Sequence, residues 1–187
     1  GKNIVLASGG YAANPKMFEE LNGVPLFGAL AYPHSQGDGH TLARAVGGYQ
    51  RGREHYLSNF GVVLADDNYP SRSVGRANTY PEQRMPWEVY VNANGARFIA
   101  EDNPSVDARE HALLVQPGLR YWIIFDEAIF NAAPPLLYDE TQASIAAKFA
   151  AGQANFFKAD TLEALATKAG LPVAAVVESI NPLRTAS

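Results

Sequence analysis

The sequence predicts an α+β fold with antiparallel strands and packed helices, and three observations carry that prediction. Apolar residues recur at helical spacing in several short segments with their own caps, strand-like runs of large residues stand between them, and Asn92-Ala93-Asn94-Gly95 joins two such runs as a hairpin turn. No repeat and no low-complexity stretch points to another architecture.

In chain order, Asn3-Ile4-Val5-Leu6-Ala7 reads as a short apolar strand that closes on the turn Ser8-Gly9-Gly10. Asn14-Pro15 supplies a cap and a first-turn proline for a helix whose face is Met17, Phe18 and Leu21, ending near Gly23. Gly37-Asp38-Gly39 opens a second helix along Leu42, Ala43 and Val46, stopped by Gly47-Gly48. Asp66 to Pro86, with Arg72, Arg76 and Arg84 among prolines and serines, has no clear period and reads as a long surface loop. Trp87–Val91 and Ala96–Ile99 form the arms of the hairpin. A helix follows from Val106 to Val115, ended by Pro117-Gly118, and Leu119 to Phe125 reads as a buried strand. Glu140–Ala151 predicts a helix and Asn155–Lys158 a short strand. Asp160 and Glu163 form a capping box for a helix ending near Gly170, and Pro172 opens the last one, to about Ile180.

A chain of 187 residues, 47% hydrophobic, is long enough for a substantial core and should bury about 70% of its extended surface. A net charge of -4 gives no basic stripe for phosphates, so nucleic acid is excluded as an expected partner. No apolar run approaches the roughly 20 residues that span a bilayer, so direct membrane insertion is not expected and a cytoplasmic location is. With no cysteine, a metal would have to use His34, His40, His55, His111 and carboxylates, whose spacing matches no ligand motif. Both ends read as cuts inside a longer sequence.

Leu6-Ala7-Ser8-Gly9-Gly10-Tyr11-Ala12-Ala13-Asn14, Gly37-Asp38-Gly39-His40, Val91-Asn92-Ala93-Asn94-Gly95-Ala96-Arg97-Phe98-Ile99-Ala100-Glu101 and then Arg109 occur in this order. The series resembles the FAD-dependent fumarate reductase and succinate dehydrogenase flavoprotein superfamily. The resemblance implies residues 1–50 as a flanking segment of the FAD-binding domain and residues 51–187 as the mobile capping domain that closes over the substrate. It also implies that Ser8, Gly9, Gly10, Gly37, Asp38 and Gly39 are the flavin-side residues. Bare backbone suits that role, because a side chain at these glycines would hold a ring away. The nucleotide fingerprint that seats the FAD pyrophosphate does not occur in this sequence. FAD is therefore expected in a longer protein whose missing FAD-binding segments are this chain's partners, and isolated residues 1–187 are not expected to retain it.

Reductases of the superfamily take hydride from the flavin and a proton from an arginine downstream of the Asn-x-x-Gly-x-Arg-Phe hairpin, which by resemblance makes Arg109 the catalytic candidate. Its interval from Arg97-Phe98 is longer than theirs. Arg109 also falls on the apolar face of its helix, where a guanidinium needs a carboxylate or a substrate. Glu101, Asp107 and Glu110 could relay a proton to it, and equally one of them could pin it in a salt bridge. His55, beside Arg53 and Tyr56, lies where the family often places a substrate-binding histidine. The substrate is expected to be a small molecule, with a carboxylic acid among the candidates. Two other readings stay open: a ketosteroid dehydrogenase-like enzyme handling protons with tyrosines such as Tyr49, Tyr56, Tyr69 or Tyr80, and a non-catalytic ligand-binding or interaction module that retains the cap.

Overall fold

The computed structural model describes residues 3–52, 56 and 58–184. The elements among them are α1 (Pro15–Asn22), α2 (Asp38–Ala45), β1 (Val62–Leu64), β2 (Ser73–Arg76), β3 (Val89–Asn92), α3 (Val106–Leu114), β4 (Tyr121–Ile124), α4 (Glu127–Ala132), α5 (Gln142–Ala150), α6 (Leu162–Lys168) and α7 (Val173–Arg184). The strands form two separate two-stranded sheets, β1 with β2 and β3 with β4, so the α+β class stands. The chain divides into two compact units, Gly1–Tyr56 with Leu64–Val74, and Leu57–Val63 with Gly75–Ser187.

In the first unit the Asn14 side chain accepts the Met17 N–H at 3.0 Å, and Gly23 closes α1 with φ 72°. These are the predicted cap and stop. Helix α2 begins after Gly37, whose φ is 84°, a conformation that glycine adopts without penalty. Leu21 is buried, and Phe27 meets Tyr69 edge-on at 4.8 Å. Residues 3–7 differ from expectation. They form no strand, and Ile4 and Val5 are 86% and 89% exposed. An apolar run becomes a strand only where a neighbour takes its hydrogen bonds, and among the described residues none pairs with it.

The second unit is organised around β3. It pairs antiparallel with β4 in the register Val89↔Ile124, Tyr90↔Ile123, Val91↔Trp122 and Asn92↔Tyr121. Side chains alternate across a strand, so this register sorts them into two cores. Val91 packs with Ala166, Leu171, Val176 and Ile180 of the α6 and α7 region, flanked by Val89, Trp122 and Ile124. Tyr90 packs with Phe60 and Leu113, flanked by Phe98, Ile99, Tyr121 and Ile123.

The predicted hairpin is half right. Its turn forms, with Gly95 N donating to Asn92 O and Asn92 N to Ala96 O, both at 2.9 Å, but the return arm makes only the single bridge Val91↔Arg97. Strand β4 takes the remaining edge of β3 and is half-buried along its length rather than fully buried. The supposed loop 66–86 contains β2, which the sequence hid because Ser73-Val74-Gly75-Arg76 has little β-character. Asn155–Lys158 is not a strand, since Asn155 sits at φ 67°. Helix α6 is capped by Thr161, which accepts the Ala164 N–H at 3.2 Å, one residue later than the expected Asp160. Helix α4, capped by Asp126, was legible as an Asp-Glu helix start but was not predicted.

Gly95 gives the first test of this packing. Its φ is 75°, and a Cβ there would lie 3.0 Å from both Val176 N and Val176 Cγ2. Gly95→Ala is therefore expected to destabilise the chain by about 1–3 kcal/mol, read as a lower urea midpoint at unchanged m-value.

Candidate active site

The two glycine turns of the first unit come together. Gly37 N donates to Gly10 O at 3.0 Å, and Ala13 N donates to Ser35 O at 3.0 Å. Gln36 ties the same loops through Pro33 O and Ala13 O at 2.6 and 3.1 Å, and Tyr11 meets His40 edge-on at 5.2 Å. The four glycines do different work. A Cβ on Gly37, whose φ is 84°, would meet Met17 and Tyr11, and one on Gly39 would meet Ser8 Oγ, so these two are close-packed within the turn pair, and both are buried. A Cβ on Gly9 or Gly10 would meet nothing within 4 Å, and Ser8, Gly9 and Gly10 are exposed. Asp38 is also exposed, in the first turn of α2. The result is a bare, accessible turn supported from beneath by a buried one.

In the second unit, α3 starts at Ser105, which accepts the Ala108 N–H at 3.1 Å, and so aims Arg109 inward. Arg109 is 1% exposed and is the largest fully buried side chain among the described residues. Its Nη1 donates to Thr79 O, while Nε and Nη2 have no partner among the described residues. Its guanidinium lies over two rings, with Cζ 5.0 Å from the centroid of Tyr80 and 5.9 Å from that of Phe60. The Thr79 hydroxyl is also buried without a partner.

The salt-bridge alternative for Arg109 finds no carboxylate among the described residues. Glu101 is taken by Arg97, whose Nε donates to Oε1 at 3.0 Å, and by Tyr90 N at 3.0 Å. Asp107 faces His111 at 3.3 Å on the exposed side of α3, an i,i+4 pair. Glu110 is half-buried; burial and then the nearby Asp107 hold its carboxyl above the usual range, against the opposing charges of Arg76 and Arg109. Burial likewise pushes up the phenols of Tyr90 and Tyr121, so neither supplies an anion to the cation beside it.

His55 and Arg53 lie outside the described residues. Sequence reasoning missed the two rings over Arg109. Tyr80 stood in a stretch without periodicity, and Phe60 carried no motif. It also missed the buried pair Arg84–Glu88, for which the spacing of four was visible but lay in a segment with no helical pattern. Among the described residues no group of three or more His, Asp or Glu could hold a metal ion, and no helix is long and apolar enough to cross a membrane.

No family model matches the chain. It is 28% identical over 197 residues to a vinyl phenol reductase of Lactiplantibacillus plantarum, an alignment covering 95% of this chain and 39% of the relative. It is 28% identical over 184 residues to a probable fumarate reductase, Ifc3, of Shewanella frigidimarina, covering 96% of this chain and 27% of the relative. Its fold matches the open conformation of a flavocytochrome c3 fumarate reductase with a TM-score of 0.55 at 26% identity, over 97% of this chain and 28% of that one. The chain thus spans well under half the length of each of these relatives. It is similar in sequence to reductases and, in sequence and fold, to a flavoprotein fumarate reductase.

Proposed function

We propose that this chain works within a longer FAD-dependent enzyme that reduces a carbon–carbon double bond, with residues 1–50 flanking the cofactor and residues 51–187 capping the substrate. The observation that carries the reading is Arg109, a fully buried cation with two unpartnered N–H groups and no counter-ion among the described residues. Such an arrangement is costly unless a ligand completes it.

Bound FAD would supply hydride from its N5. The residues of the first unit fit that group: Ser8, Gly9 and Gly10 offer exposed backbone with open space above it, and Gly37, Asp38 and Gly39 fix the shape of that turn. Arg109 orients the substrate through its free N–H groups and donates the proton to the carbon opposite the one that receives hydride. Phe60 and Tyr80 keep water from the guanidinium. Glu110, coupled electrostatically to Arg109 and half-exposed to solvent, returns the proton after turnover. His55 is kept as a substrate-binding residue by resemblance alone. The names of the relatives support an unsaturated small molecule as substrate, with a carboxylic acid one candidate class.

The test is a protein of the relatives' length that carries this chain. It should show bound flavin in its visible spectrum, and its flavin, reduced anaerobically with dithionite, should be reoxidised by fumarate or 4-vinylphenol. A flavin-free protein, or reduced flavin that neither alkene reoxidises, overturns the reading.

A further inference from the structure

The Arg109 guanidinium lies over two aromatic rings that are held very differently. Phe60 is 4% exposed and stacked on Tyr121 at 4.4 Å, with Tyr90 at 5.8 Å, so it is fixed by the core. Tyr80 is half-buried in the irregular stretch between β2 and β3. Its hydroxyl accepts one hydrogen bond, from Arg76 Nη2 at 2.9 Å, and Arg76 is itself exposed, with its guanidinium over the Tyr138 ring at 6.0 Å. One ring is therefore rigid, and the other hangs from a surface contact.

The enclosed guanidinium has a competing energy balance. Two buried donors of a charged group without acceptors oppose this arrangement, and a desolvated cation–π contact offsets part of that cost. A ligand that brought both an acceptor oxygen and a flat face would satisfy the donors and replace the ring.

We propose that Tyr80 is a positioning and specificity residue: its ring covers the Arg109 guanidinium, which also lies over Phe60, and a substrate reaches Nε and Nη2 by taking the place of the Tyr80 ring. This rests on Arg109 being the residue that meets the substrate. The slot that Tyr80 vacates, walled by Phe60, favours a flat, conjugated group bearing an oxygen over a saturated or bulky one.

The test reads Arg109 accessibility in the full chain by phenylglyoxal labelling and mass spectrometry, and needs neither flavin nor turnover. Its failure is thus distinct from failure of the reductase reading. Tyr80→Ala should raise the Arg109 labelling rate about tenfold, as expected for loss of a desolvated cation–π contact. Arg84 and Arg97, held by their own carboxylates, should label as before. Tyr80→Phe, which keeps the ring, should restore most of the protection, and Arg76→Met, which removes only the tether, should give an intermediate rate. Unchanged Arg109 labelling in Tyr80→Ala overturns the proposal. If Tyr80→Ala raises labelling at all three arginines, the chain has opened globally and Arg76→Met decides: selective exposure of Arg109 supports the proposal, and no change overturns it.

Discussion

Arg109→Leu should lower the rate of alkene reduction by at least about a hundredfold in the flavin-loaded protein, the range lost when a positioned acid is removed, while leaving the chain folded and no less stable. The two halves of this result come from the same geometry. In the proton-donor role proposed for it the guanidinium has no substitute, since Thr79 and the phenols nearby offer no acid of comparable charge. As a structural element it is unfavourable, because it is 1% exposed and two of its N–H groups have no acceptor. A leucine between Phe60 and Tyr80 removes a buried charge and adds apolar contact. Arg109→Lys keeps the charge but loses the planar fork, and should recover little activity. The measurements are steady-state turnover, flavin reduction by dithionite and urea unfolding. A variant that loses stability and activity together would mean that Arg109 is a structural cation. Unaltered turnover would remove it from the chemistry.

Glu88→Ala should destabilise the chain by about 3–5 kcal/mol, the cost of stranding a buried charge. The side chains of Arg84 and Glu88 are 3% and 2% exposed. Arg84 Nη1 donates to Glu88 Oε2 at 2.8 Å, its Nη2 donates to Oε1, and its Nε donates to Pro134 O at 3.0 Å. Glu88 Oε2 also accepts Trp87 N at 3.1 Å. Removing the carboxylate therefore leaves the guanidinium with a single carbonyl acceptor in a dry site. The double variant Arg84→Met with Glu88→Leu should recover most of the loss, because neither charge then remains buried and unpaired. Equilibrium urea unfolding of Glu88→Ala, of Arg84→Met and Glu88→Leu singly, and of the double variant gives the loss and the coupling. A single-variant loss below about 1 kcal/mol would place this pair with solvent-screened ion pairs despite its burial.

The helices were the most legible part of the fold, because caps act locally. Asn14, Ser105 and Thr141 lie within three residues of the N–H groups that they accept, so the sequence alone shows them. Strands depend on remote partners. The run Ile4-Val5-Leu6 looks more strand-like than Ser73-Val74-Gly75-Arg76, yet only the latter is paired. The choice of β4 over residues 96–99 as the partner of β3 is set by the two cores on either side, which no window of sequence contains. The same division applies to the site. The glycine turns and Arg109 were visible through motif order. Phe60 and Tyr80 lie 49 and 29 positions before Arg109 in the sequence, and only folding brings their rings to it.

Because β3 sends Val89 and Val91 to one side and Tyr90 to the other, a four-residue length of backbone is a party wall between the α6–α7 bundle and the chamber that encloses Arg109. Neither tenant can be remodelled alone. A bulkier residue at Val176 or Ala166 would push on the wall and disturb Tyr90 and Phe60, so substitutions in the helical bundle are constrained by the packing around Arg109.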